Sequence, residues 1–289
     1  MRLFVTGAGG MLGHDVLRAG ERAHHELTGL TREELDVTDG SAVDDALERC
    51  APEAIINCAA YTDVDGAQEH TELAHAVNSD GAANLARAAA SAGVPLLHIS
   101  SDYVFSGVPH RDADGAPRPY VESDETGPQS VYGQSKLAGE RRVLGASASH
   151  VVVRSSWLFG VDGRNFVATM LRLGGERESV DVVDDQVGCP TWTGHLAPAL
   201  IGLLERRATG LVHLAGAGQV SWNGFAREIF RQAEVSCEVH STSTAAMGRP
   251  APRPAYSALA SERDDVLPVP PWQDGLAGYL AARAGMMRA

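Results

Sequence analysis

The sequence predicts an α/β fold, a doubly wound parallel sheet with a smaller C-terminal domain. Short, nearly all-apolar strands alternate with helical segments through the first half of the chain, the pattern of a parallel sheet covered on both faces. A glycine-rich turn, Gly7-Ala8-Gly9-Gly10-Met11-Leu12-Gly13, follows directly on the first of these strands. After residue 156 the alternation loosens. The 289 residues, 44% of them hydrophobic, suffice for one large domain or for one of ordinary size plus a smaller one.

Residues 2–6 read as the first strand and 11–20 as the helix after the glycine turn. A short second strand is expected at 25–30, a helix at 41–49, and a third strand, buried on both faces, at 54–59. Helical pattern returns across 67–91, interrupted by Gly81. A fourth strand at 95–100, a helix at 131–144 and a fifth strand at 151–155 complete a domain over residues 1–156. Residues 157–289 read as mainly a substrate-binding domain that returns elements to the first, with helices at 165–173, 194–206, 222–233 and 273–284 and strands at 180–183 and 211–215. Pro250, Pro252 and Pro254 exclude regular helix across 248–256. The polar segment 106–130 carries four prolines and leaves the strand end bearing Ser101, so it reads as a loop near the substrate.

A net charge of −13 without a basic stripe argues against a nucleic-acid binder. Cys50, Cys58, Cys189 and Cys237 are widely spaced with no Cys-x-x-Cys, as expected of reduced thiols. Neither a secretory signal pattern nor a run of about 18 apolar residues is present, so a cytoplasmic location is expected. There is no His-Glu-x-x-His, and the adjacent acids Asp184-Asp185 read as a loop or cap, so no catalytic metal is expected. Gly-x-Ser-x-Gly is also missing.

The glycine turn sits where a Rossmann-like fold binds a dinucleotide. Gly7 permits the tight turn, Gly10 lets backbone approach the pyrophosphate, and Gly13 allows close helix–sheet packing, while the amides of Met11, Leu12 and Gly13 open the helix. The spacing is Gly-x-x-Gly-x-x-Gly rather than Gly-x-Gly-x-x-Gly. At the end of the second strand Arg32 suits a 2′-phosphate and favours NADPH, although Glu33 and Glu34 leave NADH open. Asp36 and Val37 are placed to flank the adenine, and the small Ala59 and Ala60, before Tyr61, let a cofactor lie against backbone.

Tyr132 and Lys136 are four residues apart and share a face if 131–144 is helical. A phenol with pKa near 10 is a poor acid–base group, and a neighbouring ammonium is expected to lower it. In a ketone reduction Tyr132 would give the proton, Ser101 would hydrogen-bond the same oxygen, and Lys136 would also hold the nicotinamide ribose.

These residues resemble the extended short-chain dehydrogenase/reductases and, more closely, the dTDP-4-dehydrorhamnose reductase family. The likeness runs through Asn57-Cys58-Ala59-Ala60-Tyr61-Thr62-Asp63-Val64-Asp65, Val77-Asn78, Ser100-Ser101-Asp102-Tyr103-Val104-Phe105, and Tyr132-Gly133-Gln134-Ser135-Lys136. It continues through Arg154-Ser155-Ser156-Trp157, Asp184-Asp185-Gln186-Val187-Gly188-Cys189-Pro190-Thr191 and Arg253-Pro254, nearly the whole chain. The resemblance implies reduction of the C4 ketone of a dTDP-4-keto-deoxysugar by NADPH, or NADH, giving dTDP-β-L-rhamnose in that family. It implies a cofactor role for Asn78, a sugar pocket lined by Thr62, Val64, Tyr103 and Trp157, and Arg253 at the diphosphate. Ser101 replaces the family's usual threonine, and Tyr256 the asparagine of Arg-Pro-x-Asn-Ser. By analogy with the family a homodimer is expected. Some members hold a non-catalytic Mg²⁺ through an acid in the first helix, where this chain has Asp15. A reductase of another dTDP-4-keto-deoxysugar, a nucleotide-sugar epimerase or dehydratase, and a non-catalytic regulatory subunit compete. A dehydratase would carry a glutamate after Asp102, where this chain has Tyr103.

Overall fold

The computed structural model describes residues 1–286. Its centre is a six-stranded, wholly parallel sheet formed by β1 (Arg2–Thr6), β2 (Glu26–Leu30), β3 (Ala54–Asn57), β4 (Leu96–Ser101), β5 (Val151–Ser155) and β7 (Gly210–His213). Across the sheet the order is β7-β5-β4-β3-β1-β2. The order reverses direction between β1 and β3, the crevice where sheets of this kind bind ligands at their carboxyl ends. β3 stops at Asn57, two residues short of the sequence expectation, because the Asn57 side chain takes the Ala59 amide and turns the chain out of the ladder.

Two apolar layers clothe the sheet. Alternating residues of β1 and β3 supply both: Leu3, Val5 and Ile56 face α1 (Met11–Arg22) and α7 (Thr193–Glu205), while Phe4 and Ile55 face α2 (Gly40–Cys50) and α4 (Ala82–Ala92). Both sides are dry, so the strands read as continuous apolar runs. α2 starts where Asp39 accepts the amides of Ser41 and Ala42, and α5 (Val131–Ala146) where Ser130 accepts that of Gly133.

The expected helix over 67–91 is divided. α3 (Val64–Glu69) ends at His70, and a π-helical turn over Ala76–Gly81 precedes α4. The chain after 156 gives α7 and β7 to the sheet layers. It also packs a third core from α6 (Phe166–Glu176), α8 (Trp222–Gln232), α9 (Trp272–Met286) and a parallel strand pair, β6 (Ser179–Val183) with β8 (Glu238–Thr242). β8 has no counterpart in the sequence expectation; its alternation Glu-Val-His-Ser-Thr carries one buried apolar residue, Val239, too few for a periodic signal.

Candidate active site

The turn after β1 is closed by contact as well as by backbone angle. Gly7 has φ +66°, and a Cβ there would lie 2.6 Å from the Ala59 nitrogen. A Cβ on Gly13 would strike the Gly7 carbonyl oxygen. Only glycine lets α1 and the end of β3 converge on this turn. Gly10 caps α1 without a side-chain hydrogen bond, so the first-turn amides are left for an anion. Met11, Leu12 and Gly13 contribute backbone there, since the Leu12 side chain is buried in the core and Met11 lies against Gly160.

Beside the turn opens a cavity of about 310 Å³ lined by Gly7, Gly10, Arg32, Asp36, Val37, Ala59, Ala60, Tyr61 and others. Arg32 is exposed at its edge and forms no ion pair among the described residues. Glu34 instead takes the Thr31 amide at 2.8 Å. Hydrogen bonds from the Thr38 amide and hydroxyl hold the Asp36 carboxyl below its usual range. Cradle, open helix end and cavity fit a dinucleotide. Asn78 does not line this cavity. It is fully buried, and its amide bonds the Tyr61 backbone on both sides and the Ser135 hydroxyl. It therefore holds the wall in place from behind, because the π turn aims it inward.

β4 carries Ser101 to the carboxyl edge of the sheet. Opposite it, α5 comes close because Gly133 and Gly139 have no Cβ to strike the Tyr103 and Asn78 carbonyl oxygens. Tyr132 then meets the Ser101 side chain and stands edge-on to the Tyr103 ring, centroids 5.5 Å apart. Burial pushes the Tyr132 phenol up to about 12, and the nearby Ser101 hydroxyl opposes the rise. Lys136 is also buried, which lowers its ammonium to about 8 against the opposing charge of Glu140. Its Nζ donates to the Ile99 carbonyl at 2.6 Å. The expected lowering of Tyr132 by Lys136 is thus not seen: the ammonium is spent on backbone, and desolvation governs the phenol. Tyr132 is held protonated, the form that a proton donor needs. Ser101 donates to Asp102 at 3.0 Å and accepts the Tyr103 amide. Burial pushes the Asp102 carboxyl up to about 6, against the hydrogen bond it accepts from Ser101.

Thr62 is exposed on the loop after β3, and Val64 opens α3. Trp157, with φ +47°, stacks flat on Trp222 at 3.5 Å. Arg253 spends its fork on Asp65, with both bonds at 2.8 Å, and donates to the Ala251 carbonyl. Trp222 and Asp65 were not singled out in the sequence. Ser221 as N-cap places Trp222 at a helix start, but no local signal names its stacking partner. The 106–130 loop is anchored by Tyr120, which exchanges backbone bonds with Ala258 and Ala260 and stacks on Phe105.

Asp15 is occupied otherwise than a metal ligand would be. Buried between α1 and α7, it accepts from Thr193 at 2.5 Å and from Arg18 at 3.1 Å. Asp184 accepts from Ser221 and Ser241, and Asp185 from the Thr244 amide. Among the described residues no group of three or more His, Cys, Asp or Glu side chains is placed to hold a metal ion, and no helix is long and apolar enough to cross a membrane.

Residues 1–284 match the family described as RmlD substrate binding domain. The chain belongs to this family. It is 44% identical over 290 residues to dTDP-4-dehydrorhamnose reductase of Mycobacterium tuberculosis, covering 98% of this chain and 93% of that one. Its fold superimposes with a TM-score of 0.92 on the dTDP-4-dehydrorhamnose reductase of Clostridium acetobutylicum, at 37% identity over 98% of this chain and 99% of that one. The TM-score is also 0.92 with the Bacillus anthracis enzyme solved in complex with NADP, at 36% identity over 97% and 99%. The family membership makes this chain an NAD(P)H-dependent oxidoreductase of the short-chain dehydrogenase/reductase type.

Proposed function

We propose that this chain reduces the C4 ketone of dTDP-4-dehydro-β-L-rhamnose to the alcohol of dTDP-β-L-rhamnose with NADPH. The observation that carries the reading is the convergence of Ser101, Tyr132 and Lys136, from β4 and α5, at the sheet edge that also opens the dinucleotide cavity. NADPH supplies the hydride when bound. Gly7, Gly10 and the first amides of α1 would hold its pyrophosphate, Arg32 and Asp36 its adenosine end, and Ala59, Ala60 and Tyr61 its flank.

Tyr132 gives its phenolic proton to the substrate oxygen as negative charge develops there. Ser101 turns from Asp102 to hydrogen-bond the same oxygen and fix its position. Lys136, whose Nζ donates one proton to the Ile99 carbonyl, keeps further donors for the nicotinamide ribose hydroxyls. Trp157 and Tyr103 form an apolar wall with polar edges for the deoxysugar, with Thr62 and Val64 beside it. Arg253 is the residue assigned to the diphosphate, and its guanidinium fork, paired with Asp65, would exchange that carboxylate for the phosphate on binding. Four free cysteines suit a reducing, cytoplasmic setting, and the reading includes a homodimer by analogy with the family.

The test is purified protein with NADPH and enzymatically generated dTDP-4-dehydro-β-L-rhamnose. Loss of reduced-nicotinamide absorbance, stoichiometric with dTDP-L-rhamnose, supports the reading. NADPH binding without turnover of this sugar, but with turnover of another dTDP-4-keto-deoxysugar, replaces the substrate and keeps the reaction.

A further inference from the structure

Behind the site lies a buried charged cluster that the mechanism above does not use. Glu140 follows Lys136 by one helical turn on α5. Its carboxylate accepts from Arg154 Nε at 2.9 Å and Nη2 at 2.7 Å, and from the Ser100 hydroxyl at 2.5 Å. The Glu140 and Arg154 side chains are 3% and 4% exposed. Arg154 lies over the Phe105 ring, 4.9 Å from its centroid, and Nη1 reaches the His213 ring at 3.5 Å. Ser100 immediately precedes Ser101 on β4, and Arg154 lies on β5, paired in register with Ser100. One carboxylate therefore ties the helix carrying Tyr132 and Lys136 to the two strands at whose ends the chemistry is set.

A buried ion pair of this kind gives little stability, because desolvation offsets its attraction. A geometric role accounts for it better. We propose that Glu140 is a positioning residue for the reduction: with Arg154 and Ser100 it fixes the height and rotation of α5, and so the places of Lys136 and Tyr132 opposite Ser101. The inference rests on the proposed roles of those three residues.

The clamp also has an electrostatic side. The charged and titratable groups that act on Lys136 or feel it are Glu140 on its own helix, Cys58 after β3 and His98 on β4. Glu140 is the largest of them in holding the buried ammonium protonated. Removing its charge leaves Arg154 unbalanced nearby, which disfavours the ammonium further.

The experiment compares kcat, KM and the pH profile of kcat/KM for the wild type, Glu140→Gln, Ser100→Ala and the double variant Glu140→Met/Arg154→Met, with NADPH affinity read by fluorescence. Turnover is measured on whichever dTDP-4-keto-deoxysugar the wild type reduces best. Failure of the rhamnose assignment then shows in the wild type, and failure of the clamp shows only in the variants. For Glu140→Gln we expect kcat to fall about tenfold or more with KM for the sugar little changed, and the alkaline limb to move down by about half a pH unit or more. The double variant replaces the pair by apolar side chains of similar volume, which buried ion pairs tolerate. It should fold and still lose kcat. Ser100→Ala, the mildest change, should lose kcat several-fold at unchanged melting temperature. A folded double variant or Ser100→Ala with wild-type kcat and an unmoved alkaline limb would overturn the proposal, and so would a Glu140→Gln loss confined to melting temperature.

Discussion

Gly7→Ala tests the cradle most directly, because two independent costs fall on one added methyl group. Gly7 sits at φ +66°, where a residue with a Cβ costs about 1–2 kcal/mol. The new Cβ would also lie 2.6 Å from the Ala59 nitrogen, 2.7 Å from the Cys58 carbonyl carbon and 2.8 Å from the Ala59 Cα. All three are backbone atoms of the β3 terminus and cannot swing aside. Overpacking of this kind typically adds about 1–3 kcal/mol. The sum, roughly 2–5 kcal/mol, corresponds to a fall in Tm of roughly 3–8 °C for a chain of this size. Relief requires the β3 end to move away from the turn, which displaces Ala59 and Ala60 in the cavity wall, so NADPH affinity should fall as well. Gly145 is the control. It lies in α5, is exposed, and a Cβ there would meet nothing within 4 Å. Gly145→Ala should therefore stabilise by about 0.5–1 kcal/mol through helix propensity alone. Thermal unfolding of both variants with and without NADPH is the assay. A Gly7→Ala protein that melts with the wild type and binds NADPH equally well would refute the packing argument.

Tyr132→Phe should lose about 10²–10⁴-fold in kcat while NADPH binds normally, since only the proton donor is removed; stopped-flow turnover and a fluorescence titration separate the two effects. Arg32→Ala should cost NADPH about tenfold or more in affinity and NADH little, measured as paired dissociation constants, because its guanidinium is exposed at the cavity edge without an ion-pair partner. Asp102 has a folded-state pKa raised from 3.8 to about 6, so the folded protein binds more protons than the unfolded chain across that window and stability falls as pH rises through it. Asp102→Asn should consequently leave stability nearly unchanged near pH 3 and raise it by about 2–3 kcal/mol above pH 6, with denaturant titrations at the two pH values as the check.

Much of the architecture was legible because it is written in local terms. β1, the glycine turn and α1 follow from an apolar run, a breaker and an amphipathic helix. α5 follows from its Ser130 cap, and β5 begins and ends as expected. The candidate residues were legible as spacings: Tyr132 and Lys136 on one helix, Ser101 at a strand end. What the spacings do not contain is the electrostatics. A helix-face pair suggests an ammonium lowering a phenol, whereas in the folded chain Lys136 turns to the Ile99 carbonyl and burial raises Tyr132. Asn78 and Arg253 show the same limit: their polar atoms are taken by Tyr61 and Ser135 and by Asp65.

The sequence by itself determined the fold class, the order of the main elements and the candidate residues for a dinucleotide-dependent reduction, because periodicity, caps and turn glycines act over a few neighbouring residues. The tertiary structure alone decided which distant groups meet. β7 joins the sheet beside β5, Trp222 lies on Trp157, Arg253 closes on Asp65 across 188 positions, and Glu140 binds Arg154 and Ser100. None of these pairings has a local signature. Each is selected by shape and by the cost of leaving a buried polar group unpartnered, and that cost exists only once the core has closed.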